Sequence, residues 1–181
     1  MRVYISDIKV IEDKKYGGVT FCITGKLQSG LELKINDLFY DLQRYIGHYV
    51  EMLLCVFRNP YAEYKMGMIN QPFLREEHYS IELIEELKKE KGLNSKNNRE
   101  WILLTGEYVD SYNIPKKWIP LIKSKWFISI LKEPSAISTN EGIFLLYPFH
   151  LRRRFPIENF PKNVSIATGC IDLVAWYPVP Q

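Results

Sequence analysis

Histidine and cysteine are scarce, three of each in 181 residues, and neither is spaced for chemistry. There is no Cys-x-x-Cys, no His-Glu-x-x-His and no Asp-rich calcium loop, so no metal site is expected. His48, His78 and His150 lie too far apart to read as a ligand set. Phosphate-cradling glycine loops are missing as well. Gly17-Gly18 falls in a hairpin turn, with no Gly-Lys-Ser/Thr to follow it. No Gly-x-Ser-x-Gly elbow occurs. Cys22, Cys55 and Cys170 sit in apolar, strand-like stretches, where desolvation disfavours a reactive thiolate. Glu76-Glu77 and Glu85-Glu86 fall at the start of, or on, an amphipathic helix and read as solvated helix charge before they read as an acid/base pair. No cofactor is expected, and catalysis is left without a named residue. A triad assembled from distant positions would leave no trace in one sequence.

Long apolar runs are also lacking. The longest uncharged one, Met52 to Phe57, is far short of the roughly 20 residues that span a bilayer, so no membrane partner is expected. The start, Met1-Arg2-Val3-Tyr4-Ile5-Ser6-Asp7, has no apolar leader region. Three widely spaced cysteines do not make a disulfide framework. A cytoplasmic location is the expectation, and Asn163-Val164-Ser165 is then a chance match to a glycan acceptor.

What is present is a globular composition. Hydrophobic residues make up 46% and aromatics 14%, enough apolar surface to offset chain entropy and exclude disorder as the main state. Val3 and Ile5 alternate with polar neighbours, as do Ile8 and Val10, but the phase slips at Ser6-Asp7. Such a slip predicts a β-bulge that bends one long strand. Val19, Phe21 and Ile23 alternate again after the Gly17-Gly18 turn. Leu31, Leu33 and Ile35 follow the turn at Gln28-Ser29-Gly30. A short helix is expected next, capped by Asp37, with Leu38, Leu42, Tyr45 and Ile46 on one face and Gly47 closing it. Tyr49 to Phe57 is a further, nearly continuous apolar strand.

Three strands, a helix and a strand, the first strand bent, is the element order of a small Greek-key barrel of the OB type. Its fifth strand is not evident after Arg58. The barrel is therefore expected to be closed by a strand from later in the chain. Ser80 to Lys91 is the clearest helix, and the Asn- and Ser-containing stretch Leu93 to Glu100 the best linker. Beyond it, Trp101 to Val109, Trp126 to Leu131, Gly142 to Tyr147 and Ser165 to Tyr177 read as strands. Ile114 to Lys125, with Pro115 and Pro120, reads as a loop or short helix. The expected fold is mainly β (α+β): one or two small OB-like bent barrels or sheets with at least two short helices. Residues 1–60 would form the OB-like unit. Residues 61–99 would be an irregular segment with helix 80–91 and the linker. Residues 100–181 would form a second β-rich unit or continue the same domain.

Charge is informative when split. Residues 1–92 hold 13 Lys+Arg against 14 Asp+Glu, a net of −1; residues 93–181 hold 11 against 7, a net of +4. The excess gathers between Tyr112 and Lys162, interleaved with aromatics. Basic groups attract a phosphate backbone and aromatic faces accept unstacked bases. The residues selected on this ground are Lys116, Lys117, Trp118, Lys123, Lys125, Arg152, Arg153 and Arg154. Pro148 and Pro156 flank the arginines, which are expected on an exposed loop. The competing reading is structural: strand aromatics usually belong to a core, and isolated lysines to a solvated surface. The first functional expectation is a non-catalytic binding module for single-stranded nucleic acid, within a larger assembly. The second is a protein-binding adaptor or structural subunit, since aromatics and Arg are also favoured at protein interfaces. An enzyme acting on an anionic small molecule carries the least weight.

Overall fold

The computed structural model of the chain describes residues 1–13, 17–57, 102–132, 134–147, 163–168 and 170–180. The expected helix over 80–91, the linker and Arg152, Arg153 and Arg154 lie outside the described residues. Nine strands are described: β1 (Arg2–Asp13), β2 (Gly18–Lys26), β3 (Glu32–Asp37), β4 (Tyr49–Phe57), β5 (Ile102–Val109), β6 (Ser135–Thr139), β7 (Gly142–Leu146), β8 (Asn163–Thr168) and β9 (Cys170–Pro178). One short helix, α1 (Lys125–Ile130), and two 3-10 turns, Gln43–Tyr45 and Ile119–Leu121, accompany them.

Five strands close on themselves in the order β1-β2-β3-β9-β4, with β4 returning to β1. The β3–β9 pair is parallel and the other barrel pairs are antiparallel. The protein is thus mostly β, a closed five-stranded, OB-like barrel with extra strands. The closing strand does come from late in the chain. Nor is the second half a separate sheet: β9 belongs to the barrel, and β7-β6-β5-β8 extend from it through the parallel β4–β7 pair.

The bend in β1 lies where the hydrophobic phase slips. Its register against β2 shifts between Ile5 and Asp7, so Val3 and Ile5 before the slip and Ile8 after it all reach the barrel interior. Opposite Ile5 stands Gly25. A Cβ there would lie 2.5 Å from Val3 Cγ1 and 3.3 Å from Ile35 Cδ1, so the absent side chain is what lets β1 and β3 meet across the interior. β4 reads as a continuous apolar run because both its faces are covered. Val50, Met52, Leu54 and Val56 fill the barrel, while Leu53 and Cys55 join a second cluster on its outer wall. That cluster is completed by Trp118, Ile122, Phe127 and Leu131, from the β5–β6 connection folded across β4 and β9.

Three local expectations change. The stretch after Asp37 is not an α-helix. The buried Asp37 carboxylate accepts from the N–H groups of Phe39, Tyr40 and Asp41 at 2.9, 3.0 and 3.1 Å, as a helix cap would. Asp41 then turns to φ 50°, which a right-handed helix cannot hold, and only the 3-10 turn Gln43–Tyr45 follows. Trp126 to Leu131 is helical rather than extended. Ser124 Oγ caps α1 by accepting from Phe127 N–H, and Phe127 and Leu131, four apart, are the buried pair. Finally, the single strand expected over Ser165–Tyr177 is two, β8 on β5 and β9 in the barrel. β6 has no counterpart among the expected strands.

Candidate functional site

The β5–β6 connection carries every described residue selected from charge and aromatic content. It is held down by Trp118, Ile122 and Phe127 against the outer wall of β4 and β9, and this anchoring decides which side chains are free. Lys116, Lys117, Lys123 and Lys125 are exposed. Trp118 is not: it is only 5% exposed and packs at 4.9 Å from the Tyr177 ring. As a base-stacking platform Trp118 is therefore corrected to a core residue, because the outer wall needs a large apolar side chain at that point. Trp126, two residues beyond the cap of α1, is the exposed tryptophan among the described residues, at 57%. It lies 5.7 Å from the Tyr147 ring.

Two of the lysines are seated on aromatic faces. Lys117 Nζ lies 5.4 Å over Trp118 and 5.1 Å over Tyr177, and donates to the Tyr177 hydroxyl at 2.9 Å. That hydrogen bond raises its pKa, so the ammonium stays charged. Lys123 Nζ lies 4.8 Å over Tyr40 and donates to the Phe39 carbonyl at 3.3 Å. The Tyr40 hydroxyl itself lies 2.6 Å from the Val174 carbonyl and 2.9 Å from that of Leu121, and accepts from Lys123 N–H. Burial pushes the Tyr40 phenol up. The two lysine seats thus reach β9 near Tyr177 and Val174, about 10 Å apart along a strand.

Beneath Trp126, the Tyr147 hydroxyl donates to Asp172, whose other oxygen accepts from the Asn36 amide at 3.1 Å. This chain ties β7, β9 and β3 together and leaves Trp126 as its solvent-facing end. Among the described residues, no group of three or more His, Cys, Asp or Glu side chains could hold a metal, and no helix is long and apolar enough to cross a membrane. Comparison with models of protein families, with curated proteins and with solved structures finds no match. What defines the class is the strand order: a β protein on a small OB-like barrel, with a basic and aromatic connection strapped to its outer wall.

Sequence reasoning misses Trp126 as a site residue because it takes Trp126-Phe127 for the start of a strand. The signal that separates them is the Ser124 cap with apolar Phe127 and Leu131 at helical spacing, which turns Trp126 outward. Phe39 and Tyr40 fall within the stretch expected to be helical, and nothing in the sequence joins them to Lys123.

Proposed function

We propose that this chain is a non-catalytic module that binds single-stranded nucleic acid through the basic, aromatic surface of its second half, as a subunit of a larger assembly. The observation that carries the reading is the exposure of Lys117, Lys123, Lys125 and Trp126 together on one anchored connection. Cations there meet phosphates, and an exposed indole offers a face to an unstacked base. Barrels of this strand order are used for oligonucleotide binding in general, which is analogy and adds support of a weaker kind. A cytoplasmic location goes with the reading, in keeping with Cys22 as a reduced thiol.

The test is a titration with a labelled single-stranded oligonucleotide at two salt concentrations. Neutralisation of about four phosphates gives a log–log slope near −3. Substituting Lys123 and Lys125 together by Ala should make the slope shallower by about 0.7 for each phosphate no longer neutralised. Absence of binding at low salt overturns the proposal.

A protein-binding subunit is the second reading, favoured by its own observation. Ile11 and Val19 are exposed on the part of the β1–β2 ribbon that runs past the pairing with β3, Val10 is exposed where that pairing ends, and Leu38, Ile119 and Ile128 are exposed elsewhere. Apolar groups gathered on a surface mark contact sites. Saturable association with a purified protein partner, with no effect of oligonucleotide, would favour this reading.

A further inference from the structure

A groove of about 440 Å³ opens where β1 and β4 begin, between the Tyr45–Tyr49 link and the end of β9. Its size is within the range that takes a small organic ligand. Tyr4 and Tyr49 meet there edge to face at 5.2 Å. Tyr49 is 42% exposed, and the Arg2 guanidinium lies 4.8 Å over its ring. Tyr45 forms another wall, braced by Trp176 at 4.8 Å and topped by the Arg44 guanidinium at 5.0 Å.

Register extends the groove into a path. Tyr4 is opposite Tyr49, Arg2 is opposite Glu51, and Glu51 is opposite Tyr177. Paired residues share a face of the sheet, and Lys117 rests on Tyr177. The outer wall over β1, β4 and β9 therefore presents Tyr4, Tyr49, Arg2, Tyr177 and Lys117 in succession. The carboxylate set between Arg2 and Tyr177, Glu51, lies 3.4 Å from the Met1 amine. By contrast, the outer face of β2 and β3 shows Thr20, Cys22, Thr24, Lys26, Glu32 and Lys34. It has no aromatic side chain, and Lys34 is tied to Glu32 at 2.8 Å. On barrels of this order that face is the usual seat for oligonucleotides; here it lacks anything for a base to stack on.

We infer that this groove is a nucleotide subsite. A base of a single strand stacks at Tyr49 beside Tyr4, its backbone phosphates meet Arg2 and Lys117, and the strand crosses β1, β4 and β9 toward the second half of the chain. The inference rests on the nucleic-acid reading above and assigns that reading a place. Aromatic grooves also take proline-rich peptides, but Arg2 in the lining, with Arg44 over the Tyr45 ring, selects for an anion.

The experiment uses the full chain and a fluorescein-labelled oligothymidine of roughly 12 nucleotides at about 50 mM salt. Tyr49→Ala should weaken binding roughly tenfold, since base stacking on an aromatic ring is of that order, and Tyr49→Phe should stay within about twofold, since the ring face is kept. A second measurement covers loss of folding in Tyr49→Ala. Wild-type protein photocrosslinked to an iodouracil-substituted strand should carry the adduct on Tyr4, Tyr45 or Tyr49. If wild type binds but Tyr49→Ala binds equally and adducts map elsewhere, the subsite is overturned and the broader reading stands. If wild type does not bind at low salt, both fall. A proline-rich peptide bound in a Tyr49-dependent way, with no oligonucleotide binding, replaces the subsite with a peptide groove.

Discussion

Asp37 shows how one side chain can occupy a cap position without starting a helix. Its three backbone partners lower the carboxyl pKa, but burial, the larger effect, leaves it raised. In the window from 3.8, the ordinary value, up to the raised one, the folded chain holds more protons than the unfolded chain. Stability then falls as pH rises through that window and levels off above it. Urea midpoints measured between about pH 3.5 and 7 should show this slope, and Asp37→Asn should flatten it. Asp37→Ala strands three N–H groups and should cost roughly 2–4 kcal/mol. Tyr40→Phe removes the hydroxyl shared by Val174, Leu121 and Lys123, with an expected loss of about 1–2 kcal/mol in urea denaturation. Neither role is fully legible in the sequence. Asp37 reads correctly as a capping side chain, but the outcome turns on Asp41 entering the left-handed region. Tyr40 acts through residues more than eighty positions away.

At the scale of elements, alternation is readable wherever one side of a strand meets the barrel and the other meets solvent. β2 and β3 follow it, and the break in β1 locates the bulge. The pattern fails where tertiary packing overrides it. β9 changes phase because β4 passes from Leu53↔Ala175 to Leu54↔Leu173, so Val174 and Ala175 both face the outer cluster and Trp176 turns inward. α1 looks extended because six residues are too few to display a helical period. Close approach of strands makes its own prediction at Gly106. A Cβ there would run into the Ser138 carbonyl on β6, backbone that cannot rotate away. Gly106→Ala should lower stability by about 1–3 kcal/mol, read as a drop in thermal midpoint, with the β5–β6 amides losing hydrogen-exchange protection first.

For the molecule as a whole, the candidate site is partly legible. The lysines of the β5–β6 connection lie on the surface, while Trp118 beside them packs into the outer cluster. Sequence gives no weight to Arg2 and Tyr49, which sit in the net-acidic first half. Surface chemistry here is assembled by strand pairing across distant positions, and a charge count along the chain averages that away. Pairing also sets the limit of the first unit. A fragment of residues 1–60 keeps β1 to β4 but lacks β9, leaving the β4 edge over Val50–Phe57 and the β3 edge at Ile35–Asn36 unpaired. Such a fragment should give a disordered far-UV spectrum and poor amide dispersion, where the full chain gives a β spectrum.

The late arrival of β9 also bears on how the chain is made. A ribosome that has delivered β1 to β4 has delivered four-fifths of a barrel with a gap facing water, and more than a hundred residues must emerge before Cys170–Pro178 can fill it. At a synthesis rate of roughly 5–20 residues per second, that gap stays open for several seconds or more. During that time the apolar β4 edge is a template for any strand that meets it. Closure over so long a separation is slow by its topology, so the nascent chain spends its most adhesive interval before the barrel exists.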